Sequence, residues 1–144
     1  MKKSNVLMKA AIITIALACC GAVASAESEK GITEMNGSVI APYNVAINVI
    51  ECSLTMPSAG TVHCSAKTTT MAGYKAETIV ELQKLNGIWG TIKKWSDKGS
   101  MGASVSEDYA VAKGYSYRLK TTHKAYNSSG TLVESFERYS NIVK

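Results

Sequence analysis

The sequence predicts an all-β protein, an antiparallel β-sandwich formed by one domain. Three observations lead to this prediction. From residue 43 onward, short runs rich in Val, Ile, Thr and Tyr alternate with clusters of Gly, Asn and Ser at roughly regular spacing. No stretch has the sustained period of an amphipathic helix. The 144 residues, 46% hydrophobic and 19% charged, have the composition of an ordinary globular domain.

Seven strands are predicted between residues 43 and 144, separated by turn signals. They cover residues 43–56, 60–69, 75–85, 88–96, 103–111, 115–126 and 131–143. Seven strands in about 100 residues is the size of an immunoglobulin-like or fibronectin-like sandwich.

The first 26 residues have the three parts of a secretory signal peptide. Basic residues at positions 2, 3 and 9 precede an apolar stretch at 10–20, and Ala24-Ser25-Ala26 supplies a small-x-small cleavage site. The apolar stretch is shorter than the roughly 20 residues of a membrane span. We therefore expect a secreted protein. The alternative is lipoprotein processing at Cys19 or Cys20.

Residues 27–42 mix charge, glycine and a terminal proline without a clear period, which predicts a flexible lead-in to the folded domain at 43–144. Export also changes the charge. Three of the 16 basic residues lie in the signal peptide and all 11 acidic residues follow it, so 13 minus 11 leaves +2 instead of +5. Lys93-Lys94 is the only adjacent basic pair after residue 26, so nucleic-acid binding is not expected.

Cys52 and Cys64 are the only cysteines that follow the signal peptide. A three-residue loop at 57–59 makes paired residue numbers sum to 116, which places Cys52 opposite Cys64 on an apolar face with Leu54 and Val62. Directly opposed cysteines can form a disulfide at a non-hydrogen-bonded pair, and export favours oxidation. The alternative is a pair of buried free thiols.

The second hairpin turns at Asn86-Gly87. A three-residue loop places Leu82 opposite Ile92 and Glu81 opposite Lys93. This register is preferred because a two-residue loop would mix polar and apolar side chains on each face.

That register leaves Trp89 and Trp95 on the face of Lys93, unless a bulge near Gly90 or Lys94 turns one of them inward. Exposed tryptophans beside a lysine predict a surface that stacks on sugar rings or anchors a protein partner. The alternative is that one or both tryptophans cap the core.

In the last hairpin, a four-residue loop at 127–130 makes paired numbers sum to 257. His123 then lies opposite Glu134, and Lys120 lies opposite Glu137 on the other face. A carboxylate beside a partly buried imidazole can raise its pKa or orient it as a base. His123 is therefore the candidate for an alternative hydrolase function, although no third catalytic residue can be assigned.

The segment from Val111 to Leu119 resembles the corner before strand F of immunoglobulin-like and fibronectin-like domains. Gly114 matches the turn glycine, Tyr117 the corner tyrosine, and Leu119 takes the place of the second disulfide cysteine. The resemblance implies that the Tyr117 hydroxyl binds a backbone group just upstream. It also implies that the inter-sheet disulfide of antibody domains is absent.

A larger part of the chain, residues 43–144, is similar to an uncharacterised family of small secreted proteins from Gram-positive, largely anaerobic bacteria. The residues that carry this similarity are Leu82-Gln83-Lys84, Trp89, Ile92-Lys93-Lys94-Trp95-Ser96, Gly114, Tyr117-Arg118, and Glu134 to Ser140. The similarity implies an all-β domain outside the cell and transfers no activity.

Together these observations predict a secreted, non-catalytic binding module for a cell-envelope glycan or an extracellular protein, with Trp89, Lys93 and Trp95 as its binding residues. A structural surface or matrix component is the other non-enzymatic alternative. No cofactor or metal is expected, because His63 and Cys64 are neighbours in a strand and point to opposite faces.

Overall fold

The computed structural model describes residues 37–40 and 45–144. The predicted signal peptide, with Cys19 and Cys20, lies outside these residues. The described part contains eight β-strands: β1 (Gly37–Ile40), β2 (Ile47–Ser58), β3 (Thr61–Thr70), β4 (Lys75–Asn86), β5 (Ile88–Ser100), β6 (Gly102–Ala110), β7 (Tyr117–Tyr126) and β8 (Leu132–Tyr139). Strands β2 to β8 match the seven predicted strands within four residues at every end. Within this part no helix is long and apolar enough to span a membrane.

The strands form two antiparallel sheets that pack face to face, which confirms the predicted β-sandwich. One sheet has the order β1-β2-β3-β6 and the other the order β5-β4-β7-β8. In a constant-type immunoglobulin domain, the fourth of the seven strands joins the sheet of the first two. Here β5, the fourth of the seven long strands, pairs with β4 instead.

Strand β1 lies within residues 27–42, the predicted lead-in to the folded domain. It pairs antiparallel with β2, with Val39 opposite Ile50, so the sandwich begins before the predicted boundary at residue 43. Four residues are too few to show a period of two, and the pairing comes from backbone groups at a sheet edge that the sequence pattern does not reveal.

The core lies between the two sheets and is built from alternate residues of each strand. In β7 the buried residues are Tyr117, Leu119, Thr121, His123 and Ala125, and the residues between them are partly exposed. This alternation is the signature of a strand with one face on a core. The predicted inward faces of the first hairpin and of β7 are therefore confirmed.

The strand partners in the first hairpin differ from the prediction. Cys52 lies opposite Ala66 and Cys64 lies opposite Leu54, a shift of two residues. Because side chains alternate with a period of two, this shift keeps each residue on its predicted face but separates the cysteines to a diagonal. The predicted pairing of Cys52 with Cys64 is wrong, and both cysteines are buried and free in the structure.

Two local features cause this shift. The turn consists of two residues, Ala59-Gly60, with Gly60 at a φ of 93° that a side chain disfavours. A bulge then interrupts the ladder of β2 between Thr55 and Ser58. Pro57 lies in this interval, where its missing N–H costs no ladder hydrogen bond.

The predicted tyrosine corner is present. The hydroxyl of Tyr117 donates a hydrogen bond of 2.6 Å to the carbonyl oxygen of Ala112, and the side chain of Tyr117 is buried in the core cluster. This contact ties the loop before β7 to the core.

We expect Tyr117→Phe to lower the free energy of unfolding by about 1 to 2 kcal/mol, because it leaves the Ala112 carbonyl without its partner and changes little of the packing. Urea unfolding of both proteins measures the difference. A variant as stable as the parent would show that the corner hydrogen bond is not a stabilising contact.

Candidate binding surface

The predicted binding residues Trp89, Lys93 and Trp95 all lie on β5, but they do not share one face. Near the turn the predicted register holds, with Leu85 opposite Trp89. Beyond it the partners shift by one residue, so that Val80 lies opposite Trp95. A one-residue shift moves side chains to the other face. The predicted common face of the two tryptophans is therefore wrong.

A bulge at Ile92 causes this reversal. Gln83 pairs with Thr91 and Leu82 pairs with Lys93, so Ile92 is the extra residue on β5. This position lies between Gly90 and Lys94, near which a bulge was the predicted alternative that turns one tryptophan inward.

Trp95 faces the core, which supports the core-cap alternative for this residue. It packs against the main core cluster and meets Tyr109 edge to face, with ring centroids 5.8 Å apart and an interplanar angle of 83°. The ammonium group of Lys93 lies 5.9 Å from its ring centroid. Trp95 and Lys93 thus close the edge of the sandwich beside β5.

Trp89 lies on the outer face of the β5-β4-β7-β8 sheet, where it belongs to a stack of side chains. The guanidinium carbon of Arg118 lies 4.3 Å from the ring centroid of Trp89 and 4.3 Å from that of Tyr139. The Nε of Arg118 donates a hydrogen bond of 2.9 Å to Oε1 of Gln83. We call Trp89, Arg118, Tyr139 and Gln83 the aromatic stack.

The aromatic stack draws one residue from each strand of the sheet. Trp89, Arg118 and Tyr139 are half-buried, so part of each remains open to solvent. Cation–π contact and the hydrogen bond to Gln83 hold the guanidinium of Arg118 in one orientation. The surface is therefore ordered before any ligand arrives.

Further along the same face, Glu77 is the centre of a cluster of charged groups. Its carboxylate lies 3.2 Å from the ammonium group of Lys98 and 4.0 Å from that of Lys124, and it accepts a 2.5 Å hydrogen bond from the Tyr126 hydroxyl. Burial alone would raise the pKa of Glu77, but the hydrogen bonds from Tyr126 and Lys98 and the nearby lysine charges outweigh it and lower the pKa. The hydrogen bond to Glu77 raises the pKa of Tyr126 to about 12.

A cleft of about 420 Å³ opens beside this cluster. It is lined by Lys75, Ala76, Lys98, Gly99, Ser100, Tyr126 and Gly130. The small residues of the β5–β6 turn and the β7–β8 loop leave the space, and the lysines give it a positive charge.

The partner predicted for His123 is wrong. His123 lies opposite Phe136, two residues from the predicted partner. The β7–β8 loop has five residues, 127–131, where four were predicted, and Val133 is an extra residue on β8. Glu134 instead accepts hydrogen bonds from the backbone amides of Val45, Ala46 and Ile47, at 2.6 to 3.0 Å, and holds the start of β2.

His123 is fully buried and both of its ring nitrogens contact hydroxyl groups. Nδ1 lies 2.8 Å from Oγ1 of Thr68 and Nε2 lies 2.9 Å from Oγ1 of Thr121. Burial, together with the charge of Arg138, lowers the pKa of His123 to about 4. A side chain with no exposed surface cannot act on a substrate in this conformation, so the structure gives no support to a hydrolase built on His123.

The other histidine lies in a polar group on the outer face of the first sheet, which sequence reasoning missed. Nδ1 of His63 lies 2.7 Å from Oδ1 of Asp108, and its Nε2 lies 3.4 Å from Oγ of Ser106. Ser106, His63 and Asp108 are thus connected in the same order as the side chains of a Ser-His-Asp catalytic triad. Acyl transfer also needs a substrate pocket and oxyanion donors, and the 420 Å³ cleft is lined by none of these residues. We therefore interpret the group as a surface hydrogen-bond cluster.

The buried cysteines are poor nucleophiles. Burial raises the pKa of Cys52 to about 11 and that of Cys64 to about 12. Because the thiolate is the reactive form, both side chains remain inert at neutral pH. Among residues 37–40 and 45–144, no group of three or more His, Cys, Asp or Glu side chains is arranged to hold a metal ion.

The chain matches no protein-family model, no curated protein and no solved structure. Its similarity to small secreted proteins of Gram-positive bacteria therefore stays a prediction from the sequence. The aromatic stack is a candidate site on the evidence of its geometry alone.

Proposed function

We propose that this chain is a secreted, non-catalytic binding module for a cell-envelope glycan, and that the aromatic stack is its contact surface. The observation that carries the proposal is the placement of Arg118 between Trp89 and Tyr139, on the outer face of a rigid sheet. The other two predicted binding residues, Lys93 and Trp95, lie at the edge of the core and are not part of this surface.

The chemistry of the stack suits a sugar. Aromatic rings offer flat apolar surfaces, and the guanidinium of Arg118, which Gln83 orients, offers N–H donors for hydroxyls beside them. Binding sites commonly combine aromatic walls with a few well-placed polar groups. Because the stack is already ordered, binding would cost little side-chain entropy.

A second candidate partner is an extracellular protein. It is favoured by apolar side chains at the tip of the β4–β5 hairpin, where Ile88 is 79% exposed and Leu85 and Ile92 are also exposed. Exposed apolar groups of this kind anchor protein interfaces. They adjoin Trp89 but are separate from Arg118 and Tyr139, so variants can distinguish the two partners.

We expect Trp89→Ala to weaken binding to purified Gram-positive cell walls by about tenfold or more, because it removes a central aromatic contact. Depletion of the protein from solution by a series of wall concentrations measures the affinity. Thermal unfolding, measured in parallel, confirms that the variant is folded.

Ile88→Ser is the matched control on the same hairpin, and its binding to walls should equal that of the parent. Wall binding that survives Trp89→Ala would contradict the proposal. Loss of wall binding in Ile88→Ser, with none in Trp89→Ala, would assign the contact to the apolar hairpin tip and to the second candidate.

A further inference from the structure

The outer face of the β5-β4-β7-β8 sheet concentrates the positive charge of the protein. Within the part that the structure describes, the register assigns to this face six cationic and three anionic side chains: Lys75, Lys94, Lys98, Arg118, Lys120 and Lys124, against Glu77, Glu81 and Glu137. The face has a net charge of +3, and the whole chain after residue 26 has +2. The rest of the protein is therefore close to neutral or slightly acidic.

On the β5 and β4 side of this face, ammonium groups lie outermost and carboxylates lie beneath them. The side chain of Lys98 is 67% exposed and that of its partner Glu77 is 10% exposed. Lys94 and its partner Glu81 are 59% and 22% exposed. On the β7 and β8 side the order is reversed, because Glu137 is more exposed than Lys120. A ligand that approaches the β5 and β4 side of the face meets positive groups first.

The 420 Å³ cleft lies at the opposite end of this face from the aromatic stack. Six residues of β4 separate Gln83, in the stack, from Glu77, beside the cleft, which corresponds to about 20 Å along a strand. The cleft has Lys75 and Lys98 in its lining together with the ring of Tyr126. The ammonium group of Lys98 lies 5.5 Å from the Tyr126 ring centroid.

We propose that the ligand is an anionic glycan that runs along the strands, with sugar rings on the aromatic stack and phosphate or carboxylate groups at the lysines of the cleft. This inference rests on the proposed function and names its substrate class. The aromatic stack explains contact with a sugar of any charge. The lysines of the cleft lie apart from the aromatic stack. We therefore expect the glycan chain to carry acidic groups at some distance from the sugar rings that contact the stack.

The test compares Gram-positive cell walls before and after acid extraction of their anionic polymers. We expect extraction to weaken binding of the parent protein by about tenfold, because the charge contacts are lost and the sugar contacts remain. The double variant Lys75→Gln/Lys98→Gln should bind intact walls about tenfold more weakly than the parent. Its affinity should also depend less on salt concentration.

The matched control is Lys67→Gln/Lys113→Gln, which removes the same charge from outside this face and should bind as the parent does. Equal binding to both wall preparations, or equal binding by the two double variants, would overturn the inference. If Trp89→Ala still loses binding in that case, the proposed function stands without the anionic ligand. If Trp89→Ala also binds normally, both proposals fail.

Discussion

Acidification from pH 7 to pH 4 should lower the free energy of unfolding by about 3 kcal/mol through His123. The pKa of His123 is about 4 in the folded protein and 6.5 in the absence of the fold. Between these values the unfolded chain binds a proton that the folded protein does not. The stabilisation that comes from neutral His123 is therefore fully present above pH 6.5 and is lost as the pH falls towards 4.

The hydroxyl groups around His123 explain how the neutral imidazole is held. Thr78 donates its hydroxyl proton to the carbonyl of Ala103 at 2.8 Å, so in the 2.7 Å contact between Thr68 and Thr78 the donor is Thr68. Thr68 must then accept a proton from Nδ1 of His123. This chain fixes the Nδ1–H tautomer, and Nε2 accepts from the hydroxyl of Thr121.

Urea unfolding at pH 7 and pH 5 isolates this effect, because carboxylates contribute mainly below that range. We expect a loss of about 2 kcal/mol over this interval for the parent protein. His123→Gln should flatten the dependence.

If His123→Gln does not fold, NMR of the parent protein provides the same information. The His123 ring should remain in the neutral Nδ1–H form down to about pH 5. A midpoint near 6.5 for His123 would contradict the account.

The two tryptophans of the β4–β5 hairpin should differ strongly in their contribution to stability. We expect Trp95→Ala to cost about 3 kcal/mol, the lower end of the range for a large aromatic, because the ring packs on the core but is partly exposed. Trp89→Ala should cost about 1 kcal/mol, the size of a cation–π contact at the surface.

Urea unfolding of the two variants makes this comparison with the same substitution on the same strand. Binding per folded molecule should be unchanged in Trp95→Ala. Equal losses of stability would mean that the bulge at Ile92 does not place the two rings on opposite faces.

The strands and their inward faces could be predicted because they depend on local patterns. Alternation of apolar and polar residues identifies a strand and its buried face, and Gly or Asn clusters mark the turns. The corner around Tyr117 was predictable for the same reason, since Gly114, Tyr117 and Leu119 lie within six residues of one another.

The pairing between strands was harder to predict, because a single extra residue changes it. Bulges occur between Thr55 and Ser58, at Ile92, and at Val133. Each of them shifts the partners of every residue beyond it, and none interrupts the apolar pattern enough to be seen. The common face of the tryptophans was wrong for this reason alone. The cysteine pair and the histidine–glutamate pair were wrong because the turn length and a bulge each changed the register.

The candidate site could be predicted only in part. Trp89 was identified from its residue type. Arg118 and Tyr139 lie on strands distant in sequence, and only the register of β4, β7 and β8 brings them beside Trp89. No local pattern in the sequence identified either of them as a binding residue.

The central claim is that the ligand contacts the outer face of the β5-β4-β7-β8 sheet at the aromatic stack. Its most direct test is chemical-shift mapping by NMR, in which the chain without residues 1–26 is titrated with soluble cell-wall fragments. The account predicts that the largest changes occur at the Trp89 indole N–H and at Arg118 and Tyr139, with none at His63 or Ser106 on the opposite face. Changes confined to the opposite face, or no changes at saturating fragment concentration, would contradict it.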